Sequence, residues 1–395
     1  MSDFIKILLK KDKEKSVLRY HPWVFTGAIE GITGEPEDGD IVDIYSYDKK
    51  YLASGFFQAE GSIAAKIFSF KKEQYNEEYW RNKVANAFNL RKSLGLINNP
   101  STNTFRLIHG ESDMIPGLIV DCYNDLAVVQ FHNNGAFKLR DVITKSLLSI
   151  KELNINAIYN KSESTLSNAN YFKNGFLYNT AENPIKVVEN GNIFLIDFVD
   201  GQKTGFFNDQ RENRKLLENY CKNKKVLNVF CYTGGFSVSA LKSGAALVHS
   251  VDSSKSAIEL TDKNVEINFG KTASHKSFLE DAFDYIENYT EDYDIVILDP
   301  PAFAKQIHLK EKGLKGYRNI NTKVIKKMKS GSILFTFSCS QAISKDDFRT
   351  MIFTASAIAG RNVKILHQLS QSADHPINIY HPESEYLKGL VLFIE

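Results

Sequence analysis

Cysteine is scarce and scattered. Cys122, Cys221, Cys231 and Cys339 are the four in 395 residues, and no two stand in a CxxC spacing. That excludes a disulfide-stapled secreted scaffold and a cysteine-based zinc site. No apolar run approaches the roughly 20 residues that a membrane-spanning helix needs. The first fifteen residues carry too many Lys and Asp for the apolar region of a secretory signal. These absences predict a cytoplasmic protein with reduced thiols, no membrane partner and no metal. Charge of one sign is lacking too: 49 basic residues face 47 acidic ones, a formal net charge of +2.

What is present is a globular composition, 43% hydrophobic, in a chain too long for one ordinary core. Short apolar runs at Phe4–Leu9, Gly39–Tyr45, Tyr51–Phe57 and Ile63–Phe70, separated by Gly- and Asp-containing turns, predict a small β-barrel over residues 1–72. Trp23, in His21-Pro22-Trp23-Val24-Phe25, is expected in its core. Helical spacing over Glu77–Leu94 opens a second module, 73–185, with the linker-like Asn98–Asn103 behind it. Strands at Gly117–Val120, Leu126–His132 and Ala157–Asn160 and a helix at Gly135–Ser149 make that module α+β. Phe194–Phe198 reads as a further strand.

The third module, 186–395, alternates regularly. Strands read at Val226–Phe230, Leu247–Val251, Tyr293–Leu298, Ser332–Phe337, Val363–Leu369 and Leu387–Phe393, with helices at Gly235–Ser243, Lys255–Asn268, Asn319–Lys329 and Lys345–Ala359. That alternation predicts a doubly wound, mostly parallel sheet. In such sheets ligands bind beyond the carboxyl ends of the strands, near the point where strand order reverses.

The first strand runs into Phe230-Cys231-Tyr232-Thr233-Gly234-Gly235, a turn where glycines allow close backbone approach. It is not GxGxxG, which weakens a dinucleotide reading and leaves NAD-dependent oxidoreduction remote. Asp252, with Ser253 beside it, ends the second strand about twenty residues on, where an acid can bond both ribose hydroxyls. Glu280-Asp281-Ala282 follows the third strand and is placed to bracket an adenine. An adenosine ligand without a pyrophosphate fits this set, and S-adenosylmethionine is such a ligand. As purely structural groups, Asp252 would be a helix N-cap and Asp281 a surface acid.

Two further strands end in reactive triplets: Asp299-Pro300-Pro301 and Ser338-Cys339-Ser340. A carboxylate and a thiol in one crevice suit covalent chemistry on an electrophilic carbon. Pyrimidine C5 is a poor nucleophile towards a sulfonium methyl; a thiolate adding to C6 makes it an enamine. Cys339 has the position for that nucleophile, and Asp299 for holding N3 and the exocyclic amine of cytosine. The plainer role for Cys339 is a buried strand-end thiol. From Pro301 to Ser330, nine Lys or Arg, including Lys305, Lys310, Lys315 and Arg318, stand against Glu311 alone. Such an excess suits a polyanion, and nucleic acid is the natural one.

These motifs resemble a known family. Gly201–Phe207, Asp209–Arg214, Phe230–Phe236, Asp299–Phe303, Phe337–Ser340, Ala373–Pro376 and Tyr386–Gly389, with His21–Phe25 at the start, are similar in kind and order to the PUA-containing methyltransferases related to ribosomal large subunit methyltransferase I. The resemblance implies an N-terminal PUA domain, a middle α+β domain and a C-terminal class I methyltransferase domain. It further implies cytosine-5 methylation of large-subunit ribosomal RNA with Cys339 as nucleophile, and is compatible with a homodimer. It places Lys203, Thr204 and Phe206 at the methionine side of the cofactor pocket. Many RNA cytosine-5 methyltransferases carry a second Cys after the Pro of the Asp299-type motif. Here Asp299-Pro300-Pro301-Ala302-Phe303 has none, so release falls to Asp299, a water or His375. Two alternatives keep the fold: methylation of a ring nitrogen such as guanine N7, and a non-catalytic RNA-binding assembly factor.

Overall fold

The computed structural model describes residues 5–166 and 173–395. Phe4, expected to open the first strand, lies outside the described residues. The chain divides into two compact units. The first comprises Met1–Val187, Ile196–Phe206 and Ala373–Ser384; the second comprises Val188–Leu195, Phe207–Ser372 and Glu385–Glu395. The expected barrel and middle modules thus share one unit. Two short stretches of the expected third module, Ile196–Phe206 and Ala373–Ser384, also belong to it.

The first unit contains two sheets. Six strands from the first seventy residues are ordered Trp23–Phe25, Ile63–Ser69, Tyr51–Phe57, Ile41–Tyr45, Ile5–Leu9, Ile29–Thr33. Two of these, Trp23–Phe25 and Ile29–Thr33, are too short or too exposed to show in the sequence pattern. Trp23 is half-buried rather than core: its indole N–H donates to Glu111 Oε1 at 3.0 Å, and its ring lies 4.5 Å from that of His381. A buried indole needs such an acceptor, which draws it to the rim. The second sheet has five strands spanning Thr104–Tyr178, covered by the helix Glu77–Ser93. Asn76 caps that helix by accepting from Tyr79 N, and Trp80, Val84 and Phe88 form its buried stripe. Within this unit Arg91, fully buried, is bidentate on Asp113 and also donates to Asp374 O. That bond ties the 373–384 stretch to the unit. His375 is buried beside Asp374, its ring 5.2 Å from that of His109.

The second unit is built on seven strands: β1 Lys225–Val229, β2 Leu247–Asp252, β3 His275–Leu279, β4 Ile295–Leu298, β5 Ser332–Ser338, β6 Val363–Leu369 and β7 Lys388–Ile394. Their order is β3-β2-β1-β4-β5-β7-β6, parallel except for β7, which runs antiparallel to both neighbours. All four residues of β4 are buried, which is why Tyr293–Leu298 reads as one continuous apolar run rather than an alternation. The helices are α1 Arg211–Leu217, α2 Gly235–Lys242, α3 Lys255–Phe269, α4 Ala282–Asn288, α5 Lys310–Lys327 and α6 Lys345–Ala359. Sequence periodicity missed the two seven-residue helices, α1 and α4, and started α5 nine residues late, at Asn319. Gly313 and Gly316 interrupt the apolar pattern there. Both are explained by packing: a Cβ on Gly313 would lie 2.6 Å from that of Ala304.

One buried ion pair anchors α1. Arg214 is bidentate on Glu189, with both N···O distances 2.6 Å and both side chains nearly inaccessible. Arg214→Leu strands the Glu189 carboxylate in this dry site, so a loss of about 3–5 kcal/mol is expected. Urea unfolding of the variant measures it; an unchanged midpoint contradicts the assignment.

Candidate active site

Strand order reverses between β1 and β4: the chain leaves β1 towards β2 and β3 on one side, then returns to β4 on the other. The crevice outside their carboxyl ends is where an open α/β sheet binds its ligand. The Phe230–Gly234 turn follows β1, and Asp299 follows β4.

The turn is held in an uncommon conformation. Phe230, Tyr232 and Gly234 have φ of 60°, 47° and 78°. For Phe and Tyr this costs on the order of 1–3 kcal/mol each, and persists only where the surroundings impose it. Here α3 and β2 impose it. Thr261 Oγ1 donates to Tyr232 O at 2.8 Å, Asn264 Nδ2 donates to Thr233 O at 2.9 Å, and Tyr232 N donates to Asp252 Oδ2 at 2.9 Å. Gly234 must be glycine, since a Cβ there would sit 2.8 Å from Thr261 Cγ2. One group is conspicuously idle. Thr233 is 3% exposed, yet its hydroxyl has no partner among the described residues. A buried hydroxyl costs free energy unless something bonds it, so the turn fits a polar ligand.

Asp252 also accepts from Ser254 N at 2.9 Å, so both its oxygens brace backbone at this corner. Ser254, not Asp252, caps α3. Asp281 is exposed and caps α4, accepting from Phe283 N and Asp284 N; Ala282, behind it, is buried. Lys203, Thr204 and Phe206 belong to the first unit. Thr204 is fully buried there, donating to Asp121 Oδ2 at 2.6 Å and lying 2.9 Å from the Tyr123 hydroxyl. Its hydroxyl is thus committed within that unit.

Asp299 and Cys339 leave two adjacent strands. β4 and β5 are neighbours in parallel register, Leu298 beside Thr336, so Asp299 follows one residue and Cys339 three residues beyond that pair at the same edge of the sheet. Cys339 Sγ lies 4.0 Å from Pro300 O and is half-buried. The flanking serines, both fully buried, knit the loop. Ser338 Oγ accepts from Ser340 N at 3.3 Å; Ser340 Oγ accepts from Ala304 N at 3.1 Å and lies 2.9 Å from the Tyr317 hydroxyl. Asp299 Oδ2 accepts from Gln210 Nε2 at 3.0 Å. Gln210 is oriented in turn, because its Oε1 accepts from Asn213 Nδ2 at 2.6 Å. Sequence reasoning assigned Gln210 no role; its only signal was membership of the Asp209–Arg214 motif. Phe207, its ring 5.2 Å from that of Tyr232, ends the Gly201–Phe207 segment that the resemblance places along the methionine side of the pocket. Burial pushes the other thiols up: Cys221 to about 12, and Cys122 and Cys231 higher still. None of the three is a nucleophile at neutral pH.

The basic stretch is mostly one helix. α5 abuts the Asp299 loop, with the Tyr317 ring 4.6 Å from that of Phe303. Several of its cations are spent internally. Lys310 pairs with Asp347, Lys323 with Glu287 and Lys329 with Asp294, and Lys327 caps three carbonyls at the end of α4. Lys310, expected at the lip, is therefore a structural tie. Lys305, Lys312, Lys315, Arg318 and Lys326 are exposed and make no ion pair among the described residues.

A family model for S-adenosylmethionine-dependent methyltransferases matches residues 173–377, and one for PUA-like domains matches 7–70. A ribosomal RNA large subunit methyltransferase I from Aeromonas hydrophila is 38% identical over 394 residues, covering 98% of each chain. The chain belongs to this methyltransferase family. Its cofactor is S-adenosylmethionine. A second member, from Shigella boydii, is 34% identical over 392 residues, again covering 98% of each chain. A SAM-dependent methyltransferase from Streptococcus mutans shares the fold across 98% of this chain and 100% of its own, with a TM-score of 0.85 at 24% identity. A methyltransferase solved with SAH has a TM-score of 0.86. Among the described residues no helix is long and apolar enough to cross a membrane.

If the idle Thr233 hydroxyl meets the cofactor, Thr233→Val weakens S-adenosylmethionine binding by about tenfold, one hydrogen bond's worth. It leaves the melting temperature of the ligand-free protein unchanged or higher. Titration calorimetry with a thermal melt measures both; undiminished affinity contradicts this role.

Proposed function

We propose that the protein methylates C5 of a cytosine in large-subunit ribosomal RNA through a covalent adduct on Cys339. The observation that carries this reading is the delivery of Asp299 and Cys339 from adjacent parallel strands to the same edge of the sheet, with Cys339 Sγ 4.0 Å from the carbonyl of Pro300, the residue after Asp299. The family members named above are ribosomal RNA large subunit methyltransferases, which supports the substrate class.

S-adenosylmethionine supplies an electrophilic methyl group on a sulfonium. The residues that would hold it are Phe230, Tyr232, Thr233 and Gly234 of the turn, Asp252 and Ser253 after β2, and Asp281 and Ala282 after β3. Asp252 faces its task already braced by two backbone amides, with carboxylate lone pairs left for ribose hydroxyls. For Asp281 the capping geometry supports the backbone-amide contact to adenine better than a carboxylate contact.

The target cytosine must leave its stack, because C5 cannot meet a methyl donor while the base is paired and stacked. Cys339 thiolate adds to C6, and the electron pair moves through the ring to make C5 nucleophilic. Asp299 accepts from the exocyclic amine and, in its protonated form, donates to N3, which distinguishes cytosine from uracil, and Gln210 keeps the carboxyl group turned to the ring. After methylation the C5 proton leaves to a base and the thiol is eliminated. Asp299, which follows β4, is one candidate for that base, beside a water or His375. His375 belongs to the first unit, packed on His109.

RNA phosphates would be met by the exposed cations Lys305, Lys315 and Arg318, whose contacts position rather than specify. Replacing these three with Gln should lower the slope of log affinity against log salt by roughly 2–3. Lys323→Gln, a cation already paired with Glu287, should leave the slope unchanged. Filter binding across a salt series measures both; equal slopes for all three proteins contradict the lip.

The reaction itself is tested by nucleoside mass spectrometry of unmodified ribosomal RNA incubated with S-adenosylmethionine. The expected result is 5-methylcytosine with wild type and none with Cys339→Ala. Methylation by the variant, or another modified nucleoside, moves the reading to a ring nitrogen.

A further inference from the structure

A thiol is a poor nucleophile until it loses its proton. The site is half-buried, and the exposed cations Lys312, Lys315, Arg318 and Lys326 lie on α5. A cation does stand behind the loop. Lys388 is the first residue of β7, paired in register with Ser338, the residue before Cys339. Its Nζ donates at 2.7 Å to the carbonyl of Ser340, the residue after Cys339. The ammonium therefore sits against the backbone that carries the thiol, with the side chain only 3% exposed.

Burying an ammonium is costly without an anion. The two carboxylates whose charge reaches Lys388, Glu385 and Asp347, each have a lysine of their own: Lys345 pairs with Glu385 and Lys310 with Asp347. Lys345 itself opposes the charge on Lys388. On the other side of the loop, the Tyr317 hydroxyl is a neutral group bonded to Ser340 Oγ. Burial brings Lys388 down to about 8, and the charge of Cys339 acts against that fall. The interaction is reciprocal: a thiolate that favours the ammonium is favoured by it to the same degree.

We propose that Lys388 is the positioning residue that holds Cys339 as a thiolate, a buried ammonium facing the loop from behind while the sulfur faces the substrate. This deepens the reading of Cys339 as nucleophile and rests on it. When the sulfur adds to C6 its negative charge passes into the ring, and the proton it lost earlier has already gone to solvent. Lys388 keeps its proton throughout. It then re-forms the ion pair when elimination returns the thiolate.

The test needs no RNA, so it can fail or succeed independently of the base methylated. Full-length protein is alkylated briefly with iodoacetamide across a pH series, and the Cys339 peptide is quantified by mass spectrometry. Lys388→Met should move the midpoint upward by about one unit, and so slow alkylation at pH 7 about tenfold. Lys388→Arg, which keeps the charge, should follow wild type, and circular dichroism verifies that both variants fold. In wild type alone, the midpoint should lie below that of the same thiol in concentrated urea. A Lys388→Met profile superimposed on wild type overturns the proposal. So does a folded wild-type midpoint at or above the urea value, a result that stands even if the variants do not fold.

Discussion

The parallel pairing of Ile295–Leu298 with Ile333–Thr336 is the constraint on which the rest of this site depends. Both strands are buried on both faces, so their register is fixed by packing as well as by hydrogen bonds. A slip of one residue would turn every side chain to the opposite face. It would also change the offset between Asp299 and Cys339. Because the register holds, two residues forty apart in sequence leave neighbouring strands at the same edge of the sheet. The antiparallel β7 adds a third group from behind, since its first residue falls opposite Ser338. Three strand ends thus supply a carboxylate, a thiol and an ammonium.

Around that frame, polar groups are buried in pairs and chains. Arg214 with Glu189, and Gln210 with Asn213 and Asp299, fix the segment leading into α1. Ser338, Ser340 and Tyr317 fix the Cys339 loop. Such networks satisfy buried groups and restrict the site to one arrangement. One buried group without a partner among the described residues is the Thr233 hydroxyl, inside a turn that already carries backbone strain. Strain and an orphaned donor in the same five residues suit a turn that binds a polar ligand.

Much of this was legible in the sequence because class and period are written in long apolar runs. Strands β1, β2, β4 and β5, the glycine turn and the two reactive triplets could all be placed from the order of residues. Adjacency of β4 and β5 followed from the regular alternation of strands and helices. What stayed hidden has physical reasons. Two of the helices, α1 and α4, are under two turns of α-helix after their caps, too short for periodicity to show. The basic run read as one lip because charge is visible in sequence, while its partners Asp347, Glu287 and Asp294 lie on other elements. Lys388 read as the second residue of the strand Leu387–Phe393 and as part of the Tyr386–Gly389 motif; only the register across β5 shows what it faces. The stretch 373–384 gave no sign of joining the first unit, because the bond that holds it, Arg91 to Asp374 O, spans most of the chain.

The central claim is that the Cys339 sulfur forms a bond to C6 of the target cytosine. It is tested most directly by trapping that bond. Ribosomal RNA transcribed with 5-fluorocytosine in place of cytosine has no C5 proton to lose, so an adduct that has received the methyl group cannot be released. The account predicts a protein–RNA species that survives denaturation, requires S-adenosylmethionine, and maps by peptide mass spectrometry to Cys339. Methylation of ordinary RNA with no trapped species on the fluorinated RNA, or a bond mapped to any other residue, would contradict it.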